Sequence, residues 1–377
     1  MLTNQNAVLL PMAFEDKTLL DMLVAWASSH LSLCDDTYRV KALEHRSTAL
    51  RSFTTALPKS QEFPDVSLAC CLVFCSMSAI LGDTAGWHNH LLGAAHIIRQ
   101  ASPSQSYQHG LQKISETYEG RWLLRNFAYH DVLMSVTLNR APIISGRYWM
   151  NQGSMEVDSY VGLACEPLAL ISEISSLKDH SAQHLELDRD SRLDSDASSL
   201  SSPDGDSTEL PPSDMYHFMI KAGQFEDELE SWTCPASDDM NLVHLAEAYR
   251  SAALIHLYRV TRIQQRTTAA DVEYKIRSQV AAVIYHIGQM PLKCLPECTS
   301  LFPLFMAGGE TKSKTDMQFI RERLHHIITY RHFQNAASAL SVLEELWLQH
   351  TSIATIPGET LDWRDILERR GWSLALS

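Results

Sequence analysis

Apolar residues return at steps of three and four almost everywhere along this 377-residue chain. That spacing puts them on one face of a helix. Val40, Leu43, Ser47, Leu50, Thr54 and Leu57 form one such stripe. Leu242, Leu245, Tyr249, Ala252, His256 and Val260 form a second, and Ala336, Ala339 or Leu340, Leu343 and Leu346 a third. Sustained alternation of apolar and polar residues, which half-buried strands require, is not evident. The pattern predicts an all-α protein of about a dozen helices. No fixed repeat period stands out, so a regular solenoid has no support.

The chain is long enough for a large core and more than one compact lobe. Lys and Arg total 31 against 45 Asp and Glu, a formal net charge of -14. Such a surface repels phosphate at long range, so any contact with nucleic acid needs a local basic patch or a partner. The longest apolar run, ACCLVFCSMSAIL from Ala69, is shorter than the roughly 18 residues that a membrane span needs. The N-terminus lacks a basic n-region, and Pro11, Glu15 and Asp16 break its apolar patch. These features predict a soluble protein. Among 8 cysteines there is no CxxC pair, so the spacing of a zinc ribbon or finger is missing. Cys70, Cys71 and Cys75 sit in the apolar run and read as reduced core residues, while Cys294 and Cys298 flank a Leu-Pro-Glu turn.

One stretch breaks the helical pattern. From Asp179 to Ser213 the chain is rich in Ser and Asp and poor in aromatic residues. It cannot bury enough apolar surface to offset the entropy of ordering it. It is predicted to be a disordered acidic linker between two helical halves, residues 1–178 and 214–377.

GDTAGWHNHLLGAAHIIRQ, from Gly82 to Gln100, crowds three histidines around a tryptophan. A helix over about Phe63 to Leu81 precedes it, with Gly82 placed as a left-handed cap. Asp83 and Thr84 suit the turn or N-cap that follows. Trp87, Leu91, Ala94 and Ile98 then share a helix face, with His90 and Ile97 beside it. Small Gly93, Ala94 and Ala95 let a second helix approach. Helical zinc ligands favour a pair four apart, whereas His88, His90 and His96 are two and six apart. No nucleophile or carboxylate is nominated as partner to a general base. Packing is the favoured reading, with Trp87 as anchor and His90 hydrogen-bonded at the edge.

The same motif carries a family resemblance. Gly82-Asp83, Trp87 and His90-Leu91-Leu92-Gly93-Ala94 resemble the fungal-specific transcription factor domain of zinc-cluster regulators, in the branch related to the acriflavine-sensitivity control proteins. LLDMLVAWASSHLSL resembles the family's opening helix and KALEHRSTALRSFTTAL its second. AEAYRSAALIHLYRV, FPLFMAGGET from Phe302, ALSVLEELW and WRDILERRGWSLALS resemble later elements in the same order. The resemblance runs from about Leu9 to the end. It implies an all-helical regulatory domain, a nuclear location and control of transcription, with no catalytic residues; no cofactor-binding or metal residues are expected either. It implies partners among other transcription regulators or coactivators, a homodimer or a zinc-cluster protein among them, and a small-molecule effector. Family members carry an N-terminal six-cysteine zinc cluster that reads DNA. That module is missing from this sequence, so no specific DNA binding is expected of this chain alone.

Two other readings are an all-α enzyme and a helical interaction scaffold. An enzyme needs acid–base or metal-ligating residues at defined spacing. His325 and His326 point to different helix faces, and Glu226 and Glu230 in EDELE read as a solvated face. RIQQR at Arg262–Arg266 and RERLHHIITYRH from Arg321 are the densest basic stretches. They read as exposed helix faces before a phosphate-binding surface.

Overall fold

The computed structural model describes residues 2–57, 64–150, 157–177, 213–264, 269–352 and 362–377. The expected linker lies outside these residues except for Ser213, which opens a helix. The N-terminal half contains α1 (Leu2–Glu15), α2 (Lys17–Cys34), α3 (Arg39–Ala56), α4 (Pro64–Ile80), α5 (Trp87–Gln100), α6 (Tyr107–Ile114) and α7 (Tyr118–Thr137). A helix over residues 165–177, α8, follows. The C-terminal half contains α9 (Ser213–Ser231), α10 (Met240–Gln264), α11 (Ala269–Gln289), α12 (Leu301–Glu310), α13 (Lys314–His326), α14 (Gln334–Ser352) and α15 (Trp363–Arg370). A 3-10 turn, Leu295–Thr299, precedes α12, and a π-helical turn, Ile327–Arg331, prolongs α13. No strand occurs among the described residues; an isolated antiparallel bridge joins Asp158 to Gly162. The all-α expectation holds.

Local chemistry sets the helix ends. Asp16 accepts the Leu19 amide at 2.9 Å and opens α2. Thr117 does the same for Gly120 at 2.9 Å in α7. Asp362 and Asp365 form a capping box on α15. Gly82, at φ +76, closes α4 with Gly82 N–H to Ala79 O at 2.9 Å and Asp83 N–H to Ser78 O at 3.0 Å. This is a Schellman closure, and it bears out the left-handed cap read from the sequence.

α4 and α7 are buried along most of their length and form the centre of the N-terminal half. α10 and α12 play that part in the C-terminal half. Buried residues of both halves join in one continuous apolar cluster. The stripes on α10 and α14 face this core as expected: Leu245, Tyr249, Ala252, Ala336, Ala339 and Leu343 are fully buried.

The stripe on α3 does not. Val40 is 68% exposed, Leu43 58%, Leu50 44% and Leu57 38%. Ala42 and Ala49 on the opposite face are buried instead, and Phe53 beside them packs on Phe74 of α4 at 6.2 Å. Small residues let α3 lie close to α2, and periodicity alone does not say which face wins.

Buried charge ties the C-terminal elements together. Arg259 of α10 is 1% exposed, pairs with Glu310 and donates to both Asp362 oxygens at 2.6 and 2.9 Å. Its guanidinium lies over the Trp363 ring at 4.8 Å. The EDELE stretch also departs from expectation. Glu226 accepts from Tyr258 at 2.7 Å and pairs with Lys275, so it fastens α9 to α10 and α11 and is no plain solvated face.

Candidate functional site

Trp87 and the stripe on its helix belong to the core. Trp87, Leu91, Ala94 and Ile98 are completely buried. A Cβ on Gly93 would sit 3.6 Å from Cys71 Sγ, so α4 does approach α5 at this small residue. His90 stacks on Phe74 at 5.1 Å and burial lowers its pKa. No edge hydrogen bond of its ring forms among the described residues, contrary to expectation. His96 is exposed near Arg99, and His88 lies edge-on to Trp87. The three rings do not converge. Among the described residues, no group of three or more His, Cys, Asp or Glu side chains could hold a metal.

Trp87 does more than fill space. Its indole N–H donates to Ser373 O at 2.7 Å, and Ser373 N–H donates to Thr84 O at 2.6 Å. The segment after α15 is therefore threaded against the start of α5. Leu374, Ala375 and Leu376 are buried. Asn335, at the start of α14, donates through Nδ2 to Ala375 O at 3.3 Å and Ser377 O at 3.2 Å.

This segment borders a cavity of about 680 Å³ between the two halves. α1 and α2 supply Leu9, Leu10, Leu23, Trp26 and His30 to its wall. α4 and α7 add Ser76, Ile80, Tyr129 and His130. The C-terminal half closes it with Leu295, Cys298, Thr299 and Leu301, then Ile327, Tyr330 and Arg331 of the π turn, then Phe333 and Asn335. The bridged turn at Asp158–Gly162 presents Ser159 and Tyr160. Asp158 holds that turn by accepting the Tyr160 and Val161 amides at 2.7 and 3.0 Å.

Most polar groups on the wall are already paired. His130 connects Ser76 Oγ, 3.1 Å from Nε2, to Ser377 Oγ, 2.6 Å from Nδ1. Burial pushes its pKa down to about 4, so the ring is neutral at physiological pH. His30 meets Arg331 O at 2.8 Å and bridges α2 to the π turn. Ser159 accepts from Trp122, and the Tyr160 hydroxyl accepts from Asn126 at 2.6 Å. Tyr129 stacks on Tyr160 at 5.0 Å.

Two wall atoms are left over. Asn335 is 4% exposed and its Oδ1 has no partner. Two carbonyls facing Nδ2 fix the amide orientation, so the free atom is the acceptor. Arg331 spends Nη2 on Lys293 O at 2.9 Å and Cys294 O at 3.1 Å, which leaves Nε buried without a partner. A buried polar atom without a partner costs about 1–3 kcal/mol. The wall therefore offers mainly aromatic and aliphatic surface, and Asn335 Oδ1 and Arg331 Nε are shut away behind it.

The sequence singled out few of these residues. RERLHHIITYRH reads as an exposed basic face, whereas Arg323 is buried against Ile287 O at 2.7 Å and Met290 O at 2.6 Å. Arg321 pairs with Glu344 at 3.0 Å, and Arg331 lines the cavity. His326 meets Glu297 at 3.1 Å while His325 is exposed, in line with two helix faces. Arg262 of the other basic stretch is paired with Glu310 at 2.8 Å.

No helix among the described residues is long and apolar enough to cross a membrane. No curated protein and no solved structure matches the chain. The sequence model of the fungal specific transcription factor domain matches residues 4–377, nearly the whole length. The chain belongs to the fungal specific transcription factor domain family.

Proposed function

We propose that the chain is the effector-responsive domain of a nuclear transcription regulator and has no catalytic activity. Regulation runs through a small molecule in the cavity between the halves, and through partner proteins that respond to the resulting arrangement. The observation that carries this reading is the cavity itself. Its volume of about 680 Å³ lies in the range of drug-sized ligand sites. Its walls are mainly apolar.

The π turn gives the cavity a means of reporting occupancy. π segments are rare and recur at functional sites. Here one supplies Ile327, Tyr330 and Arg331 to the wall, while His30 grips its last carbonyl. A ligand pressing on these side chains acts on both halves at once. An occupant that prefers one arrangement shifts the population toward it by its differential affinity.

The ligand class is a neutral, largely apolar molecule. Native mass spectrometry of the purified chain with a panel of such molecules tests this. Ala27 of α2 also lines the cavity, and Ala27→Trp is the control. Binding to the parent that is lost in Ala27→Trp supports the reading. A panel that binds neither, or both equally, contradicts it.

A further inference from the structure

We infer that the outward face of α3 is a docking surface for an acidic amphipathic helix of a partner protein. The inference is independent of the cavity. It starts from the stripe that the fold leaves uncovered.

Val40, Leu43, Ser47, Leu50, Thr54 and Leu57 alternate by three and four across the whole of α3, and every one is exposed. A spacing of that kind is a coiled-coil seam, with Val40, Ser47 and Thr54 at one core position and the three leucines at the other. α2 and α4 lie on the opposite side, reached through Ser52 and Phe53. The seam therefore faces away from the protein's own core. An apolar stripe outside the core is an interaction surface unless something covers it.

Charge identifies the occupant. The chain as a whole has a net charge of -14, yet α3 carries Arg39, Lys41, Arg46 and Arg51 against a single acidic residue, Glu44. Arg39 and Arg46 flank the seam on one side, with Glu44 and Arg51 on the other. Flanking charges set the choice of partner in helix pairing. A second copy of α3 meets the first with like charge: in a parallel pair Arg46 faces Arg51 of the other copy. Reversing the direction gives Glu44–Arg51 pairs but still brings two basic helices together. A helix with leucines in the seam and Glu or Asp at its flanks meets Arg39, Arg46 and Arg51 with opposite charge. The small polar Ser47 and Thr54 weaken the seam, which suits a reversible contact whose affinity comes from both terms.

Two synthetic three-heptad peptides test this, both with leucines in the seam, one with Glu and one with Lys at the flanking positions. Like charges at those positions keep each peptide from pairing with itself. The full chain is expected to bind the Glu peptide and not the Lys peptide. Raising salt from about 0.05 to about 0.5 M should weaken binding about tenfold or more. Leu43→Asp with Leu50→Asp should abolish it, and both positions are exposed, so the fold is kept. Arg39→Glu with Arg51→Glu should reverse the preference toward the Lys peptide. Equal binding of the two peptides, or binding unchanged by the Leu43/Leu50 pair of substitutions, overturns the inference. So does a parent that sediments as a dimer, becomes monomeric with those substitutions and binds neither peptide, because a second copy is then the occupant.

Discussion

Replacing Trp87 probes how the C-terminal segment is held against α5. The side chain is completely buried in α5 and donates to Ser373 O at 2.7 Å, across 286 residues of sequence. Trp87→Ala empties a large core site, which costs about 3–5 kcal/mol. It also strips Ser373 O of its donor, at about 1 kcal/mol more. The expected total of about 4–6 kcal/mol is comparable with the whole stability of many domains. Trp87→Phe keeps most of the ring and separates the two contributions, with an expected cost of about 2 kcal/mol. Urea unfolding followed by far-ultraviolet circular dichroism avoids reading the signal through the mutated tryptophan. Hydrogen exchange supplies the second measurement. In Trp87→Phe, amides of Trp372–Ser377 should exchange faster while α10 stays protected, because Asn335 and His130 still hold the far end of that segment. A cost below about 1 kcal/mol for Trp87→Ala, or a Trp87→Phe variant identical to the parent in both measurements, refutes the anchoring role.

His130 has a folded pKa of about 4, below its unfolded value of about 6.5. Its contribution to stability is therefore complete above about pH 6.5 and is lost as pH falls toward 4. Asp131, raised to about 7 by burial, works in the opposite direction over the same range. Urea midpoints against pH should show a smaller loss on acidification in His130→Gln than in the parent, and an unchanged profile contradicts the assignment. Gly93→Ala meets only Cys71 Sγ, at 3.6 Å, and should stabilise α5 by about 0.5–1 kcal/mol. Gly309→Ala would drive a methyl to 2.6 Å from the Trp363 ring and should cost about 1–3 kcal/mol in the same melts. The isolated chain should give no specific shift of candidate promoter DNA at physiological salt. Its densest basic stretches spend arginines on internal partners, as Arg262 does on Glu310 and Arg323 on main-chain carbonyls. Retention that survives nonspecific competitor and yields to specific competitor contradicts this.

Helices and caps were legible because their causes are local. Gly82 and the Trp87–Ile98 stripe need only their neighbours in sequence to be read. Faces were legible where one side of a helix is plainly larger and more apolar, as in α10 and α14. α3 was misread because Ala42 and Ala49 win the core by being small, which is decided by the helices they meet. The cavity was hidden for a related reason. Its wall is assembled from six helices and several turns scattered along the chain, and Leu23, Ile80 or Ile327 alone look like any core residue. One signal was available: α7 is buried almost throughout, yet it carries Asn126, His130 and Asp131 within an apolar run. Buried polar side chains need partners, and these find theirs on the turn at Tyr160, on Ser76 and Ser377, and on the Ile143 and Ile144 amides. The partners lie far along the chain, so the sequence pointed to a polar network without showing what it surrounds.

A reporter assay tests the regulatory role of the cavity most directly. The full chain is fused to an unrelated DNA-binding module upstream of a reporter, and Ala27→Trp and Asn335→Leu are compared with the parent at equal protein level. The account predicts that the parent alters reporter output and that both substitutions at the cavity wall move that output, while Leu348→Ala, an exposed position away from the cavity, leaves it unchanged. A parent that leaves the reporter silent and unrepressed, or wall variants that act just as the parent does, contradicts the account.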